Sequence, residues 1–336
     1  YVVVVRANYA EVETKALLLQ KAVNEFVAAP TQAGLEQCRK KWLEVRTPYG
    51  QTEVYRFYEG PIEKDGIEGR INAWPLDESY IDATRGKPEG GIIQDLKAYP
   101  TLTKEILIAA NEKDGETNIS TGFHAIEFLL WGQDFSEKGP GARPYTDFVD
   151  GPEGIAKYAD RRRQYLKAVT DLLIQDLQTV KSAWEPGQEQ NYASDFLKIE
   201  HQKASLQKVL LGMGSLSGGE LAGERMEVAY DSKDQEDEHS CFSDNTYADI
   251  LNNMLGIQNV FLGRYGESKG PGIYDLLVAA GQEKLAETLK QQMGSSVQSI
   301  QAMPGPEKLS FDQMLLGDDQ QPGRQRVRAA IQALRQ

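Results

Sequence analysis

One histidine of this chain stands three residues before a glutamate, inside an otherwise apolar run. The pair is His124 and Glu127, and residues 122–132 read Gly-Phe-His-Ala-Ile-Glu-Phe-Leu-Leu-Trp-Gly. Residues three apart on a helix share a face, so an imidazole nitrogen and a carboxylate can reach one metal ion or share one proton. A charged side chain in apolar surroundings needs a partner. Two interpretations are open: the pair serves a functional site, or it is a buried structural hydrogen bond.

A second acid–histidine pair has the reverse order, with Glu236 three residues before His239. Helical bundles that bind two irons use Glu-x-x-His from two helices and single glutamates from two others, so the match to that pattern is partial. Nitrogen and oxygen ligands of this kind suit iron, zinc or manganese. The alternative is a set of solvated acids beside a histidine that caps a helix. The third histidine, His201, lies in a polar helix and is predicted to be a surface or structural residue.

A third cluster combines a guanidinium, a phenol and a carboxylate. Arg46, Tyr49 and Glu53 recur at helical spacing, although Pro48 disturbs the phase. The guanidinium could orient a carboxylate ligand or bind an anionic group of a substrate, and Glu53 is then a further candidate ligand. The alternative is an Arg–Glu pair that ties a helix to a loop.

Composition narrows the classes of partner. The 336 residues include 37 Lys and Arg against 50 Asp and Glu, which gives a net charge of −13. This balance argues against nucleic acid or an anionic membrane as the main partner, since both require basic patches. No apolar run approaches the roughly 18 residues needed to span a bilayer. The chain begins at Tyr1 and not at Met, so we expect that an N-terminal segment, such as a signal peptide, has been removed.

The two cysteines, Cys38 and Cys241, lie far apart in the sequence. They could form one disulfide in an oxidising compartment or remain buried free thiols. Free thiols are the favoured interpretation, because Cys38 lies in a helical pattern and has no evident mate.

Hydrophobic periodicity predicts an all-α protein with almost no strands. Helices are predicted over residues 9–28, 34–49, 101–111, 155–184, 192–211, 217–230, 247–261, 273–279, 282–301 and 324–334. Ser120 and Thr121 are predicted to cap the helix that carries His124. Residues 60–91 and 139–144 are predicted to be irregular, and the glycine-rich stretch 212–219 is predicted to connect two helices.

These elements are most simply divided into two helical-bundle halves, which together form one compact unit. Residues 1–145 form the half that carries His124 and Glu127, and residues 146–336 form the other. Duplication of a four-helix bundle would account for such a plan, with long structured loops between the helices.

The motifs resemble those of the imelysin-like family. Residues 122–127 fit the Gly-x-His-x-x-Glu signature of that family, and residues 131–134 extend it. Four further blocks, at residues 46–53, 72–78, 216–226 and 236–246, resemble the iron-regulated branch of the family. The combined signal is far stronger than that of the His-x-x-Glu spacing alone.

The resemblance implies an all-helical protein that is exported to the periplasm or held at the outer membrane as a lipoprotein. The family is linked to bacterial iron uptake, and its signature is proposed to bind metal. We therefore expect iron or zinc as the cofactor and envelope iron-transport proteins as partners. The candidate metal ligands are His124, Glu127, Glu53, Glu236 and His239. The residues expected to support the ligands or contact a substrate are Arg46, Tyr49 and Asp244.

Two other functions stay open. The family is also classed as a metallopeptidase family, so a zinc peptidase could use His124 and Glu127 as two of three zinc ligands. Glu53 would then be the general base and Arg46 the oxyanion stabiliser. No complete catalytic constellation is visible, because Gly-x-Ser-x-Gly and His-Glu-x-x-His are both absent. The third alternative is a helical adaptor for a partner protein, in which the histidine pair is structural.

Overall fold

The chain folds almost entirely into helices in the computed structural model, which describes residues 1–136, 138–187 and 190–336. The α-helices are α1 (Val2–Ala28), α2 (Gln32–Gly50), α3 (Ile67–Ile71), α4 (Glu78–Ile81), α5 (Lys104–Ala110), α6 (Gly122–Trp131), α7 (Ala159–Ala183), α8 (Tyr192–Phe196), α9 (Gln202–Gly214), α10 (Val228–Ser232), α11 (Thr246–Leu262), α12 (Ile273–Ala279), α13 (Glu283–Ala302), α14 (Phe311–Leu315) and α15 (Pro322–Leu334). A π-helix, Ser215–Glu227, joins α9 to α10. Turns of 3₁₀ helix occur at Glu53–Tyr55, Lys64–Gly66, Tyr145–Phe148, Ile199–His201 and Gln235–Asp237.

The strands of the described residues are β1 (Arg264–Tyr265) and β2 (Ser268–Lys269), which pair antiparallel. The predicted all-α class is therefore confirmed. Among the described residues, no helix has both the length and the apolarity that crossing a lipid bilayer requires.

The first two helices of the chain have limits that differ from those predicted. α1 begins at Val2, so the valine run forms its first turn, and its buried side chains recur at helical spacing through Val5, Val12, Leu19 and Phe26. α2 contains Pro48 but ends at Gly50, and a separate 3₁₀ turn follows at Glu53–Tyr55.

The largest difference lies between residues 192 and 232. The single helix predicted over 192–211 is divided into α8, a 3₁₀ turn and α9. The connection predicted at 212–219 is instead helical, because α9 continues into the π-helix without a break. That prediction was wrong: the glycines lower the intrinsic helix propensity, but the neighbouring buried positions Leu216, Leu221 and Ala222 keep the segment helical.

The chain divides into two compact units, each made of separated stretches. Unit 1 comprises residues 1–12, 46–64 and 180–336, and unit 2 comprises residues 13–45 and 65–179. The boundaries fall within α1, α2 and α7, so they do not follow the linear division into 1–145 and 146–336. Each unit holds one cysteine, Cys241 in unit 1 and Cys38 in unit 2, and both are buried free thiols. The favoured interpretation of the cysteines is confirmed.

Candidate functional site

The Gly-x-His-x-x-Glu signature lies at the start of α6, in unit 2, and every side chain of α6 is buried. Gly122 has a φ of 83°, and a Cβ at this position would lie 2.5 Å from the carbonyl oxygen of Ile71. A side chain would therefore clash with backbone, which explains the glycine of the signature. At the other end, Gly132 has a φ of 73°, and its N–H donates to the carbonyl oxygen of Phe128 at 2.7 Å.

The two residues before α6 have a role that the sequence did not predict. Thr121 occupies the N-cap position, but its side chain accepts no hydrogen bond from the helix. Its hydroxyl lies 3.0 Å from Oδ1 of Asn111, and the Ser120 hydroxyl donates to the carbonyl oxygen of Leu107 at 2.7 Å. The predicted side-chain cap was therefore wrong. Both hydroxyls instead tie the start of α6 to the end of α5, where these acceptors lie.

His124 and Glu127 contact each other as the spacing predicts. Nδ1 of His124 lies 2.8 Å from Oε2 of Glu127, and neither side chain has measurable solvent exposure. The indole ring of Trp74 meets the imidazole edge-on, with 4.9 Å between ring centroids. The helix is held from a second side by Trp42, whose indole N–H donates to the carbonyl oxygen of Phe123 at 2.9 Å. The imidazole is thus fixed by a carboxylate and by aromatic packing.

The donor chemistry of this pair suits a metal ion, but the number of donors does not complete a site. Imidazole nitrogen and carboxylate oxygen are ligands for iron and zinc. A zinc site in a protein has three or four protein ligands. Within residues 1–136, 138–187 and 190–336, no group of three or more His, Cys, Asp or Glu is arranged to hold a metal ion. The pair can therefore contribute part of a coordination sphere.

Unit 1 contains a separate buried polar cluster, which includes the predicted residue Arg46. Its guanidinium binds Asp249 through two hydrogen bonds, Nε to Oδ1 at 3.2 Å and Nη2 to Oδ2 at 2.8 Å. Ser240 donates to the same carboxylate at 2.6 Å, and Asn245 donates to it at 3.0 Å. The Arg46 guanidinium also lies over the ring of buried Tyr49, 5.3 Å from its centroid. Arg46 thus positions Asp249, and Tyr49 packs against the Arg46 guanidinium.

Glu53 belongs to the same cluster and is held by two arginines. Its Oε2 accepts from Nη1 of Arg56 at 2.7 Å and from Nη2 of Arg225 at 2.6 Å. Burial opposes ionisation of this carboxyl, but the two guanidiniums outweigh burial and lower its pKa to about 2. Glu53 is therefore a carboxylate at neutral pH. Its other oxygen, Oε1, is buried and has no hydrogen-bond partner within the described parts of the chain.

Arg225 reaches Glu53 from the π-helix. Its Nε also donates to Oε1 of Glu220 at 3.1 Å, and its Nη1 donates to Oδ1 of Asn253 at 2.7 Å. Glu220 and Arg225 are five residues apart, which is the hydrogen-bond period of a π-helix. The unusual helix therefore brings this acid and this base onto one side.

His239 is buried in the same region, and its Nδ1 lies 3.7 Å from Oδ2 of Asp249. Burial lowers the pKa of the imidazole well below its ordinary value, and Arg225 and Arg46 lower it further. His239 is therefore neutral at pH 7, which is the form that binds metals.

Glu236 and Asp244, the remaining predicted residues, are placed differently. Glu236 is exposed in the 3₁₀ turn Gln235–Asp237, whereas His239 lies beyond the end of that turn and is buried. The two do not lie on one helix, so their three-residue spacing does not by itself place them on a common face. Asp244 is half-buried and has a φ of 56°, just before α11. The ligand role of Glu236 and the supporting role of Asp244 stay predictions.

Comparison with known proteins places these features in a family. The sequence profile named imelysin, also designated peptidase M75, matches residues 5–336. The chain belongs to the imelysin family. This confirms the resemblance carried by the Gly-x-His-x-x-Glu signature.

Two proteins similar to this chain carry the name iron-regulated protein A in their descriptions. Iron-regulated protein A of Synechococcus elongatus is 25% identical over 310 residues, which are 90% of this chain and 74% of that protein. The crystal structure of a putative iron-regulated protein A precursor from Parabacteroides distasonis has a TM-score of 0.70 at 20% identity. It covers 99% of this imelysin chain and 90% of its own. At that identity the likeness supports the fold alone.

Sequence reasoning missed several members of the polar cluster of this imelysin. Arg225 lies in a block that resembled the family, but as a lone arginine among glycines it gave no chemical signal. Asp249, Asn252 and Asn253 gave a weak signal, because each is a buried polar residue of the otherwise apolar helix α11. Buried polar side chains generally have hydrogen-bond partners, so this pattern could have indicated a polar neighbour.

Proposed function

We propose that this imelysin serves bacterial iron handling and that His124 and Glu127 contribute ligands to an iron or zinc ion. The observation that carries the proposal is the 2.8 Å contact between these two side chains in a wholly buried helix. The name of the relative from Synechococcus elongatus, iron-regulated protein A, supports iron as the relevant metal.

The contact orients the imidazole in a way that suits metal binding. Metal-binding histidines commonly donate their second ring N–H to a carboxylate, which fixes the tautomer and makes the other nitrogen a better donor. When Glu127 is ionised, Nδ1–H of His124 donates to it, and Nε2 is then the nitrogen with a lone pair. Nε2 faces away from Glu127, so an ion bound there would leave Glu127 as the residue that orients the imidazole. The proposal that both residues are ligands therefore has the ion replace the proton between Nδ1 of His124 and Oε2 of Glu127. The bound ion would supply a concentrated positive charge to its remaining ligands.

The remaining ligands are proposed to come partly from outside the pair. Water or a chelating group that accompanies the ion can fill the other positions, because iron does not require all of its ligands from protein. Glu53 and His239, in unit 1, stay predicted ligands, since one is ionised and the other is neutral. Arg56 and Arg225 oppose this role for Glu53, because each repels a cation. Glu236, which is exposed, is the weakest candidate.

Metal uptake tests the proposal. The full chain is stripped of metal, equilibrated with Fe²⁺ without oxygen or with Zn²⁺, and analysed for bound metal after dialysis. We expect about one equivalent to be retained, and His124→Ala to lose it, because an imidazole ligand contributes strongly to affinity for these ions. His201→Ala is the matched control, since His201 is 42% exposed and should leave retention unchanged.

Variants at the other candidates separate the ligand sets. Glu127→Gln should weaken retention, and Glu53→Gln and His239→Gln test the two predicted ligands of unit 1. X-ray absorption at the metal edge should show an imidazole shell that disappears in His124→Ala. Equal retention by wild type, His124→Ala and Glu127→Gln would contradict the proposed site.

Peptidase activity is the alternative function, and the family designation favours testing it. A zinc peptidase requires a third protein ligand and a general base. The described residues bring no such third His, Cys, Asp or Glu to the pair. Cleavage of a peptide library that is stopped by a chelator and by His124→Ala would establish peptidase activity; no cleavage by metal-loaded protein would leave iron handling as the better function.

We also propose that the protein acts in the cell envelope, with iron-transport proteins as partners. The word precursor in the name of the Parabacteroides distasonis relative supports export for that protein. Fractionation of cells that express the complete gene product should place the chain in the periplasm or at the outer membrane. Recovery from the cytoplasm alone would contradict this location. Capture of one stoichiometric envelope protein without metal retention would instead favour the adaptor alternative.

A further inference from the structure

A cavity of about 510 Å³ opens beside the carboxyl end of α6, within unit 2. Its walls are two stretches of chain, called arms here, residues 131–136 and 140–143, together with Ala83 and Asp147. The arms are held together by the hydrogen bond from Arg143 N–H to the carbonyl oxygen of Trp131 at 2.7 Å. Gly141 allows this approach, because a Cβ there would lie 2.7 Å from the same oxygen. The volume lies within the range of small-molecule pockets.

Arg143 lines this cavity, and its side chain is only 7% exposed. Its Nη1 donates to Asp82 at 3.3 Å and to Asp147 at 3.1 Å. Its guanidinium also lies over the ring of Phe128, 5.2 Å from the centroid. All of these contacts use Nη1 or the face of the guanidinium. Nε is buried and donates no hydrogen bond within the described residues.

Four other buried or half-buried arginines of unit 2 use the edge that Arg143 leaves open. An arginine offers Nε–H and one Nη2–H as a parallel fork, which matches the two oxygens of a carboxylate. Arg162 binds Asp82 and Arg70 binds Asp176 in this way. The forks of Arg39 and Arg161 bind backbone carbonyl oxygens. The corresponding edge of Arg143 is bonded to no described residue.

Gly132 keeps the space in front of this edge clear. A Cβ on Gly132 would lie 3.4 Å from Nε of Arg143 and 3.1 Å from its Cβ. The glycine that ends the signature helix therefore avoids crowding Nε, and Gly132 and Arg143 both line the cavity.

We infer that the cavity binds a small monocarboxylate, whose two oxygens accept from Nε and Nη2 of Arg143. An unsatisfied buried N–H of a charged group is costly, and a carboxylate would satisfy it with two charge-assisted bonds. The surrounding charges limit the ligand to a single negative charge: Arg143 and Arg162 are already balanced by Asp82 and Asp147, and Asp134 also lines the cavity. A doubly charged phosphate would meet more repulsion. Trp131 and Phe135 offer apolar walls to the rest of the ligand.

The carboxylate could belong to a simple acid, a hydroxy acid or an amino acid, and three probes distinguish these sources. The full ¹⁵N-labelled chain, in metal-free buffer, is titrated with sodium acetate, sodium L-lactate or L-alanine while the Nε–Hε signals of its arginines are followed by NMR. Sodium chloride at equal ionic strength is the control for screening. We expect acetate to shift the Arg143 signal saturably, and the tighter of lactate and alanine to identify the second recognised group.

Variants then connect binding to the arginine. Arg143→Lys should weaken binding by about tenfold or more, because lysine cannot form the bidentate fork. Arg85→Lys and Arg328→Lys are matched controls: Arg85 is exposed and lies over Phe135, and Arg328 is exposed on α15. Both should leave the affinity unchanged. Circular dichroism checks that each variant is folded. The titration of the wild-type protein tests the inference even if a variant fails to fold.

Three results would overturn the inference. These are the absence of a saturable shift at Arg143, an equal shift with sodium chloride, and tighter binding of inorganic phosphate than of acetate. None of them depends on metal retention by His124, so this inference and the proposed function can fail independently.

Discussion

The two buried acid–histidine regions are built on different principles. In unit 2, the carboxylate of Glu127 contacts an imidazole in a helix whose side chains are all buried. In unit 1, the carboxylates of Glu53 and Asp249 are bound by guanidiniums and by side-chain hydroxyl and amide groups. His239 lies beside that network and stays neutral.

The difference separates a candidate ligand site from a structural network. Two guanidiniums that donate to a carboxylate neutralise most of its negative charge. They would also repel a metal ion that approached it. A carboxylate that contacts an imidazole retains more donor strength and also orients the other ligand. We therefore expect changes in unit 1 to alter stability most, and changes at the unit 2 pair to alter metal retention most.

The largest expected effect is the loss of Arg225. Arg225→Met leaves Glu53 as a buried charge with one arginine, and removing one partner of a buried ion pair costs about 3–5 kcal/mol. Urea unfolding of metal-free protein should show this loss, and the double variant with Glu53→Gln should recover part of it. Arg335→Met, which breaks the exposed pair with Glu227, should cost less than about 1 kcal/mol. Equal losses in the two arginine variants would contradict a buried network.

A smaller effect on the free energy of unfolding is expected when the pH is lowered. The pKa of Glu53 is about 2 in the folded protein and 4.5 without these neighbours, so its contribution to stability is complete above pH 4.5 and is lost as the pH falls toward 2. The shift corresponds to about 3 kcal/mol of unfolding free energy. Wild type should therefore lose more stability than Glu53→Gln between pH 5 and 2.5, a range that is roughly the span of this titration. Parallel curves would show that the arginines do not hold the carboxylate ionised.

Breaking the contact between His124 and Glu127 should lower the free energy of unfolding by less. His124→Leu or Glu127→Leu alone leaves one buried polar side chain without its hydrogen bond, at about 1–3 kcal/mol. The double variant should recover much of that loss, because two apolar side chains can replace a buried polar pair. Unfolding of metal-free protein measures this. Failure of the double variant to recover would indicate that the pair is chiefly a structural element, as the adaptor alternative requires.

The smallest effect is expected in the alkylation of the two cysteines. Because each unit contains one cysteine, its alkylation measures the opening of that unit alone. Burial raises the pKa of Cys38 to about 12, so its thiolate is about a thousandfold scarcer than that of an ordinary cysteine. Iodoacetamide should leave native Cys38 unmodified and react once unit 2 opens. Cys241→Ser isolates this signal, and Cys38→Ser isolates the one from unit 1. Rapid alkylation of Cys38 in native protein would contradict its burial.

Sequence patterns correctly predicted the features that depend on the spacing of nearby residues. The period of apolar residues located most helices, and the three-residue spacing of His124 and Glu127 predicted their contact, because both follow from α-helix geometry. The signature also identified the family.

The errors arose where distant segments determine the outcome. Ser120 and Thr121 were predicted to cap α6, but their hydroxyls reach Leu107 and Asn111, acceptors that only the folded chain brings near. Glu236 and His239 have the spacing of a pair, yet a 3₁₀ turn ends between them. Arg225 and Asp249 escaped notice because their partners, Glu53 and Arg46, are about 170 to 200 residues away in sequence.

The π-helix sets the angle around its axis at which Arg225 projects. Five residues of an ordinary α-helix rotate by about 500°, which would leave Glu220 and Arg225 roughly 140° apart around the axis. The wider turn of Ser215–Glu227 brings them together instead. Side chains at Gly218 and Gly219 would meet open space, so length and not bulk is what this stretch must preserve. Insertions or deletions there would turn Arg225 away from Glu53, whereas most substitutions at these two glycines would not.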